Sequence, residues 1–189
     1  MSNTIQCVMI EPTDRLARGL RRFNFERPDT ALCPVNRYHN ARAWIDEVLT
    51  AGFVTSEGYL GDGPGVDHAD PRWPAKCEYC DYHFGPGDEW QVWMDWIYRS
   101  PSGDVFKLCD APPGSMWYAD WSSHKGPDGR CLMMKLPGGF DWMIDGPSGN
   151  GNHSPWTRTG APPMVTANPS ILVTGHYHGW LRDGYLIEC

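Results

Sequence analysis

The chain is organised around one stretch, residues 73–84, which reads Trp73-Pro74-Ala75-Lys76-Cys77-Glu78-Tyr79-Cys80-Asp81-Tyr82-His83-Phe84. In a C-x2-C turn such as Cys77 to Cys80, both thiolates can reach one tetrahedral Zn²⁺, about 2.3 Å from each sulfur. The pair follows Trp-Pro and precedes a Gly-Pro-Gly turn instead of opening a helix in a βαβ unit, which disfavours a redox dithiol. The pattern predicts a structural zinc knuckle; a redox dithiol and two inert thiols are the alternatives.

A tetrahedral zinc site needs two further ligands. Cys33 and His39 are the first choice, because the short irregular segment 33–39 contains both a thiol and an imidazole. His68 and His83 are alternatives near the knuckle in sequence, and Cys109 is another. A single histidine is more often a surface or hydrogen-bonded side chain. The predicted cofactor is therefore Zn²⁺, and the predicted ligands are Cys77, Cys80, Cys33 and His39.

Composition indicates a β-rich fold. The chain has 189 residues, of which 41% are hydrophobic, enough for one ordinary core or two small ones. It contains 10 Trp, 21 Gly and 17 Pro, a mixture that favours short strands and turns over long helices. The sequence shows neither a membrane-spanning apolar run nor a signal-peptide pattern, so we expect a soluble, unprocessed protein without a membrane partner. Seven irregularly spaced cysteines favour a reducing compartment.

Charge is distributed unevenly along the chain. The net charge is −7, yet residues 1–45 hold seven Arg against four acids and total +3, which leaves −10 for the remainder. The net charge argues against binding bulk nucleic acid, which would be possible only through Arg15, Arg18, Arg21 and Arg22. A basic segment on an acidic body can equally meet an anionic partner or a neighbouring copy, and a solvated helix face is the simplest alternative.

Two helices are predicted in the N-terminal part. Residues 1–10 can form a first short strand. A helix is expected to open at Pro12-Thr13-Asp14, with Leu16, Leu20 and Phe23 on its apolar stripe. A second helix is expected to begin at Asn40 as its N-cap and to end before Gly52. Its apolar face would consist of Trp44, Ile45, Val48 and Leu49.

Three antiparallel hairpins are predicted after the knuckle. They are Glu89–Arg99 with Val105–Cys109, Arg130–Leu136 with Phe140–Asp145, and Gly179–Glu188 around Asp183-Gly184. The predicted fold class is a β-rich α+β fold of small antiparallel sheets, two short N-terminal helices, irregular Pro/Gly-rich loops and a stabilising zinc. The predicted organisation is a helical basic part at 1–55, a linker with the zinc knuckle at 56–88 and an antiparallel β part at 89–189, which together form one compact unit.

No catalytic template is present in the sequence. The G-x-S-x-G elbow, the Walker A motif, H-E-x-x-H and the dinucleotide fingerprint are all missing, so no catalytic residue is predicted. The tryptophans can fill a thin core or form contact platforms for a partner, a sugar or a base. Those weighed for both roles are Trp117, Trp121, Trp142, Trp156 and Trp180.

Several motifs carry a family resemblance. They are the run Asp110-Ala111-Pro112-Pro113-Gly114-Ser115-Met116-Trp117-Tyr118-Ala119-Asp120-Trp121, the segment Gly126-Pro127-Asp128-Gly129-Arg130-Cys131-Leu132, and the ending Tyr177-His178-Gly179-Trp180-Leu181-Arg182-Asp183-Gly184. With Tyr38-His39-Asn40-Ala41 and the Cys77, Cys80 knuckle, this combination resembles uncharacterised proteins encoded by tailed bacteriophages and prophages. The resemblance covers most of the chain beyond residue 33. It implies a phage origin and supplies no catalytic residues.

Three functional classes remain. The favoured one is a structural or assembly protein of the phage virion, such as a capsid-associated or neck-and-tail accessory subunit that contacts other virion proteins or copies of itself. The second is an effector in the host cytoplasm that binds a host protein or nucleic acid. The third is an enzyme with a zinc or cysteine site.

Overall fold

A computed structural model describes residues 4–24, 32–35, 38–49, 66–147, 156–174 and 177–189. The chain divides into two compact units. Unit 1 comprises Met1–Pro12 and Tyr98–Cys189, and unit 2 comprises Thr13–Ile97. These boundaries do not coincide with the predicted ones after residues 55 and 88. Most of the predicted linker, residues 56–65, lies outside the described residues.

Strands dominate the described residues. In chain order they are β1 (Thr4–Gln6), β2 (Val8–Met9), β3 (Glu11–Asn24), β4 (His39–Leu49), β5 (Glu89–Arg99), β6 (Val105–Lys107), β7 (Ser115–Tyr118), β8 (Leu132–Lys135), β9 (Asp141–Met143), β10 (Thr157–Ala161), β11 (Met164–Val173), β12 (Tyr177–Arg182) and β13 (Tyr185–Glu188). The helical content of the described ranges is a 3-10 turn at Leu108–Asp110. Within those ranges, no helix has the length and apolar character needed to cross a bilayer. The β-rich prediction is confirmed.

Unit 1 contains two sheets around a shared apolar core. One sheet has the strand order β1-β13-β12-β11-β10, and the other has the order β2-β7-β8-β9. All pairs are antiparallel except β2 with β7, which is parallel. Alternate residues of both sheets meet in one buried cluster, as expected when each sheet has an inward face. The cluster consists of Cys7, Met116, Leu132, Met134, Leu136, Trp142, Ile144, Val165, Ala167, Ile171, Tyr177, Leu181 and Leu186.

The three predicted hairpins are present, although β6 ends at Lys107 and not at the predicted Cys109, because Leu108–Asp110 forms a 3-10 turn. β12 and β13 pair from Arg182 with Tyr185, and the two turn residues have positive φ, 45° at Asp183 and 77° at Gly184. This is the type I′ geometry that Asp-Gly favours. β8 and β9 pair antiparallel across the predicted Gly138-Gly139 turn. β6 follows β5 in the third sheet, after a turn closed by the Ser100 N–H, which donates to the Asp104 carbonyl at 2.9 Å.

The two predicted N-terminal helices are wrong, because both segments are strands. The third sheet has the order β4-β3-β5-β6, of which β6 and the last two residues of β5 belong to unit 1. β3 pairs antiparallel with β4 from Arg15 opposite Leu49 to Asn24 opposite His39. Asn40, the predicted N-cap, lies within β4 and accepts a 2.7 Å hydrogen bond from the Arg21 Nε.

Ambiguous spacing explains the error in β3. Leu16 and Leu20 are four residues apart, which places them on one face of a helix and equally on one face of a strand. Both are 0% exposed, and Ala17 and Phe23 on the opposite face are also buried. Because both faces of the strand are covered, the polar and apolar alternation that indicates a half-buried strand is missing.

A β-bulge explains the error in β4. Arg18 pairs with Asp46 while Gly19 pairs with Trp44, so Ile45 is an extra residue on β4. One extra residue shifts the alternation of side chains between the two faces of the strand by one position. The apolar residues before and after the bulge therefore appear in the sequence with a helix-like spacing.

Candidate metal centre

Four side chains converge in unit 2. Cys33, His39, Cys77 and Cys80 each offer one ligand atom, and these atoms all lie within 4.8 Å of one another. A tetrahedral zinc site with Zn–S of about 2.3 Å and Zn–N of about 2.0 Å separates its donor atoms by about 3.5 to 3.8 Å. The Cys80 Sγ lies 3.2 Å from the His39 Nδ1. The four residues are therefore close enough together to hold one metal ion, and they are the four that the sequence predicted.

Backbone hydrogen bonds shape the knuckle. The Cys77 N–H donates to the Tyr82 carbonyl at 2.9 Å, and the Phe84 N–H donates to the Ala75 carbonyl at 3.0 Å. Between these bonds, the Tyr79 N–H points to the Cys77 Sγ at 3.5 Å. These contacts fold residues 75–84 into a tight loop that places both thiols on one side.

The start of β4 is fixed against this loop. The Glu78 N–H donates to the Asn40 carbonyl at 3.0 Å, and the Arg42 N–H donates to the Glu78 Oε1 at 2.8 Å. His39 is the first residue of β4, so the two bonds set the position of its imidazole relative to the thiols. Cys33, His39 and Cys77 are 6%, 5% and 4% exposed, while Cys80 is half-buried.

A polar network lies behind the imidazole. The His39 ring stacks on Tyr82, with centroids 3.8 Å apart and planes 6° from parallel. The Tyr82 hydroxyl donates to the Asp88 Oδ1 at 3.0 Å, and the Asn24 Nδ2 donates to the same oxygen at 2.8 Å. The Gly85 N–H donates to the Asp88 Oδ2 at 2.6 Å. Asp88 thus connects the end of β3 to the ring that supports His39.

Arg22 closes the same region from β3. Its guanidinium stacks over the Trp90 ring at 3.7 Å and donates to the Gly85 carbonyl at 2.7 Å. Burial lowers the pKa of Arg22, and the charges of Asp88 and Tyr82 oppose that change. Because Arg22 is only 6% exposed, it does not contribute to an exposed basic face.

The thiols of the cluster influence one another. The Tyr82 backbone N–H lowers the pKa of Cys80, but burial and the neighbouring thiols of Cys77 and Cys33 together raise it above its ordinary value. Without a cation, crowded thiolates repel one another. A bound divalent metal would neutralise that charge and hold all three sulfurs as thiolates.

The other predicted ligands lie elsewhere. His68 stacks on Trp90 with centroids 4.6 Å apart, and exposed His83 forms a β-bridge with Lys76. Cys109 belongs to unit 1, where its Sγ points to the Asp110 Oδ1 at 3.5 Å. Sequence reasoning missed the supporting roles of Asn24, Tyr82 and Asp88. The Gly85-Pro86-Gly87-Asp88 turn was a partial sequence signal for the role of Asp88, because Asp commonly bonds backbone N–H groups in such turns.

The five tryptophans for which both roles were predicted differ in exposure. Trp117 and Trp142 are 3% and 7% exposed, whereas Trp121 is 61% exposed. Trp156 and Trp180 are half-buried. In comparisons with protein-family models, curated proteins and solved structures, no match to the chain was found.

Proposed function

We propose that Cys33, His39, Cys77 and Cys80 bind one Zn²⁺ that stabilises the fold of unit 2. The observation that carries the proposal is the convergence of the four ligand atoms within 4.8 Å. Three thiolates and one imidazole suit zinc, because soft sulfur ligands in tetrahedral geometry favour it over the oxygen-preferring cations.

A structural role follows from the number of ligands. A catalytic zinc keeps one coordination position open for water or substrate, whereas four protein ligands close the site. Three of the four residues here are buried, which also restricts access. The ion would connect segments that are distant in sequence, namely 33–39 and 77–80. Cross-links of this kind restrict the unfolded chain and add to the free energy of unfolding.

The proposed biological role is that of a structural or assembly protein of a bacteriophage virion. Two observations support it: the resemblance to phage and prophage proteins carried by the motifs above, and large apolar side chains that remain exposed. The exposed groups include Leu32, Val35, Tyr79 and Trp121, at 61%, 66%, 42% and 61% exposure. Aromatic and apolar side chains dominate the binding free energy of protein interfaces, so they suit contacts with other virion proteins or with copies of this chain.

Mass spectrometry of gradient-purified phage particles tests this role. A virion subunit stays bound in mature particles at a copy number set by their symmetry. We expect the protein at stoichiometric levels in the particles. Its absence there, together with abundance in the infected-cell lysate, would favour a host-directed binding protein instead.

A further inference from the structure

A cavity of about 680 Å³ lies in unit 1, whereas the candidate metal centre lies in unit 2. Its volume falls within the range of roughly 300 to 1,000 Å³ typical of small-molecule sites. The lining includes His124, Lys125, Gly126, Asp145, Trp156 and Arg158. Gly126 begins the Gly-Pro-Asp-Gly-Arg segment, a motif that the proposed zinc site does not involve.

A buried ion network forms the base of the cavity. The Arg158 Nε donates to the Asp145 Oδ1 at 2.9 Å, and its Nη2 donates to the Asp128 Oδ1 at 2.7 Å. The side chains of Arg158 and Asp145 are 1% and 3% exposed. The Leu132 N–H also donates to the Asp145 Oδ2 at 2.8 Å. With its partners fixed in this way, the base is rigid, and the two carboxylates more than neutralise Arg158, so that the three groups together carry one net negative charge.

Gly126 lets the chain pass directly over this base. A Cβ at residue 126 would collide with the guanidinium of Arg158 and with the carboxylate of Asp145. The glycine therefore allows the following residues, Pro127 and Asp128, to close over the ion network. The neighbouring residues His124 and Lys125 are held at the rim of the cavity.

Trp156 provides an aromatic wall. Its ring is half-buried and packs edge-to-face on the buried Trp142, with centroids 5.2 Å apart and planes at 83°. Trp142 belongs to the apolar core, so Trp156 is held in place from behind. A fixed aromatic ring at a cavity is a favourable contact for a planar base or for the apolar face of a sugar.

The available charge at the rim is positive. Lys125 and His124 are exposed, and no carboxylate among the described residues forms an ion pair with Lys125. In a chain of net charge −7, an ammonium beside a cavity that forms no ion pair with the described residues favours an anionic group at that place.

We propose that this cavity binds a small ring compound that carries one phosphate or carboxylate. The ring lies against Trp156, and the anionic group contacts Lys125 and His124. Nucleoside monophosphates and sugar acids both have this chemistry. The rigid base formed by Arg158 and Asp145 sets the depth of the site and does not need to rearrange on binding.

Isothermal titration calorimetry tests the proposal on the full chain, used with the metal content that it has when isolated. The two anionic probes are uridine 5′-monophosphate and glucuronate. Uridine and glucose are the neutral controls. We expect at least one anion to bind with a Kd of about 1 mM or tighter, and its neutral counterpart to bind at least about tenfold more weakly. The probe that binds identifies the ring as a nucleoside or a sugar. Failure of both anions to bind, or equal binding of the neutral compounds, would overturn the proposal.

Two further measurements locate the site. Lys125→Gln should weaken binding of the anion about tenfold, whereas Lys107→Gln, at a lysine of unit 1 outside the cavity, should leave it unchanged. In ¹H–¹⁵N spectra the indole signal of Trp156 should shift on titration, and the exposed Trp121 should not. Equal affinities of the two lysine variants, or shifts confined to other indoles, would contradict the assignment.

Discussion

In unit 1 the Gly126–Arg130 turn is held by Arg158, which bonds Asp128 of the turn and the buried Asp145. The unit also has an apolar core built from two sheets. In unit 2 the knuckle loop is held by three thiols and an imidazole, supported by a ring stack and a shared carboxylate. Both regions are irregular in backbone: the unit 1 turn contains Gly126, Pro127 and Gly129, and the knuckle loop is flanked by Pro74 and by Gly85-Pro86-Gly87. They differ in the interactions that hold them: ion pairs in unit 1, and the cluster of thiols and an imidazole in unit 2.

The difference shows what each region depends on. The ion network of unit 1 consists only of protein atoms, and burial of the surrounding core contributes to stability whether or not the network is intact. The proposed site of unit 2 depends on an external ion, and metal binding there is directly linked to folding. The two units should therefore respond differently to chelation, substitution and acid.

The largest expected effect comes from removing one thiol of the cluster. Cys77→Ser should leave unit 2 largely unfolded at 25 °C, because structural zinc contributes on the order of 10 kcal/mol to the folding of small zinc domains. Hydrogen exchange followed by mass spectrometry should show lost protection in peptides of 66–97 and retained protection in peptides of 156–189.

Cys109→Ser is the matched control, since this thiol lies in unit 1 outside the cluster. It should leave exchange in both units unchanged. A chelator should reproduce the effect of Cys77→Ser on the wild-type protein. Equal protection in the Cys77 variant and the wild type would mean that unit 2 does not depend on a metal.

A smaller but substantial loss is expected at the ion network of unit 1. Arg158→Met leaves the buried carboxylate of Asp145 without its cation, which costs about 3 to 5 kcal/mol. Denaturant unfolding followed by a probe in unit 1 measures the change. Arg182→Met, at an exposed arginine that stacks on Trp180, should cost about 1 kcal/mol or less. Similar losses in the two variants would show that the network is unimportant.

Next in size is the support of the imidazole by Tyr82. Tyr82→Phe keeps the ring against His39 and removes the hydroxyl that donates to Asp88, which should cost about 1 to 2 kcal/mol. Zinc affinity, measured by competition with a chelating dye, should fall up to about tenfold. Tyr79→Phe, at a ring that is 42% exposed, should change neither quantity. A loss of stability without a loss of zinc affinity would show that Tyr82 does not support the metal site.

The smallest expected effect is a pH dependence in unit 1. Hydrogen bonds from Arg158 lower the pKa of Asp128 to about 2, below the value of about 3.9 for an unfolded Asp. The ionised group therefore stabilises the fold above about pH 4, and this contribution is lost as the pH falls toward 2. Because the Asp128 side chain is 34% exposed, solvent screens the interaction and the effect should be modest.

Asp128→Asn isolates this contribution. The stability difference between wild type and variant, followed by a probe in unit 1, should be constant above about pH 4 and shrink as the pH falls toward 2. A difference that does not change across this range would assign the stability to the shape of the turn and not to the charge of Asp128.

Much of the β structure of unit 1 could be predicted because turn chemistry is local. Asp183-Gly184 and Gly138-Gly139 favour positive φ, and the structure has positive φ at all four. The N-terminal strands could not be predicted in this way. Their buried faces, Leu16 and Leu20 on one side and Ala17 and Phe23 on the other, depend on partners distant in sequence.

The four clustered residues could be predicted because metal ligands come from few residue types, and two of them stood in one short turn. Their supporting residues could not. Asn24 lies 64 residues from Asp88, and nothing in the local sequence of either indicates that they bond. The same holds for Arg158, which lies 30 residues from Asp128.

The metal content and coordination of freshly isolated, unchelated protein test the central claim most directly. Elemental analysis should find one zinc per chain. X-ray absorption at the zinc edge should then show three sulfur atoms at about 2.3 Å and one nitrogen at about 2.0 Å, with no oxygen ligand. Protein that contains no transition metal, or a zinc that carries a bound water in place of one of these ligands, would contradict the closed structural site.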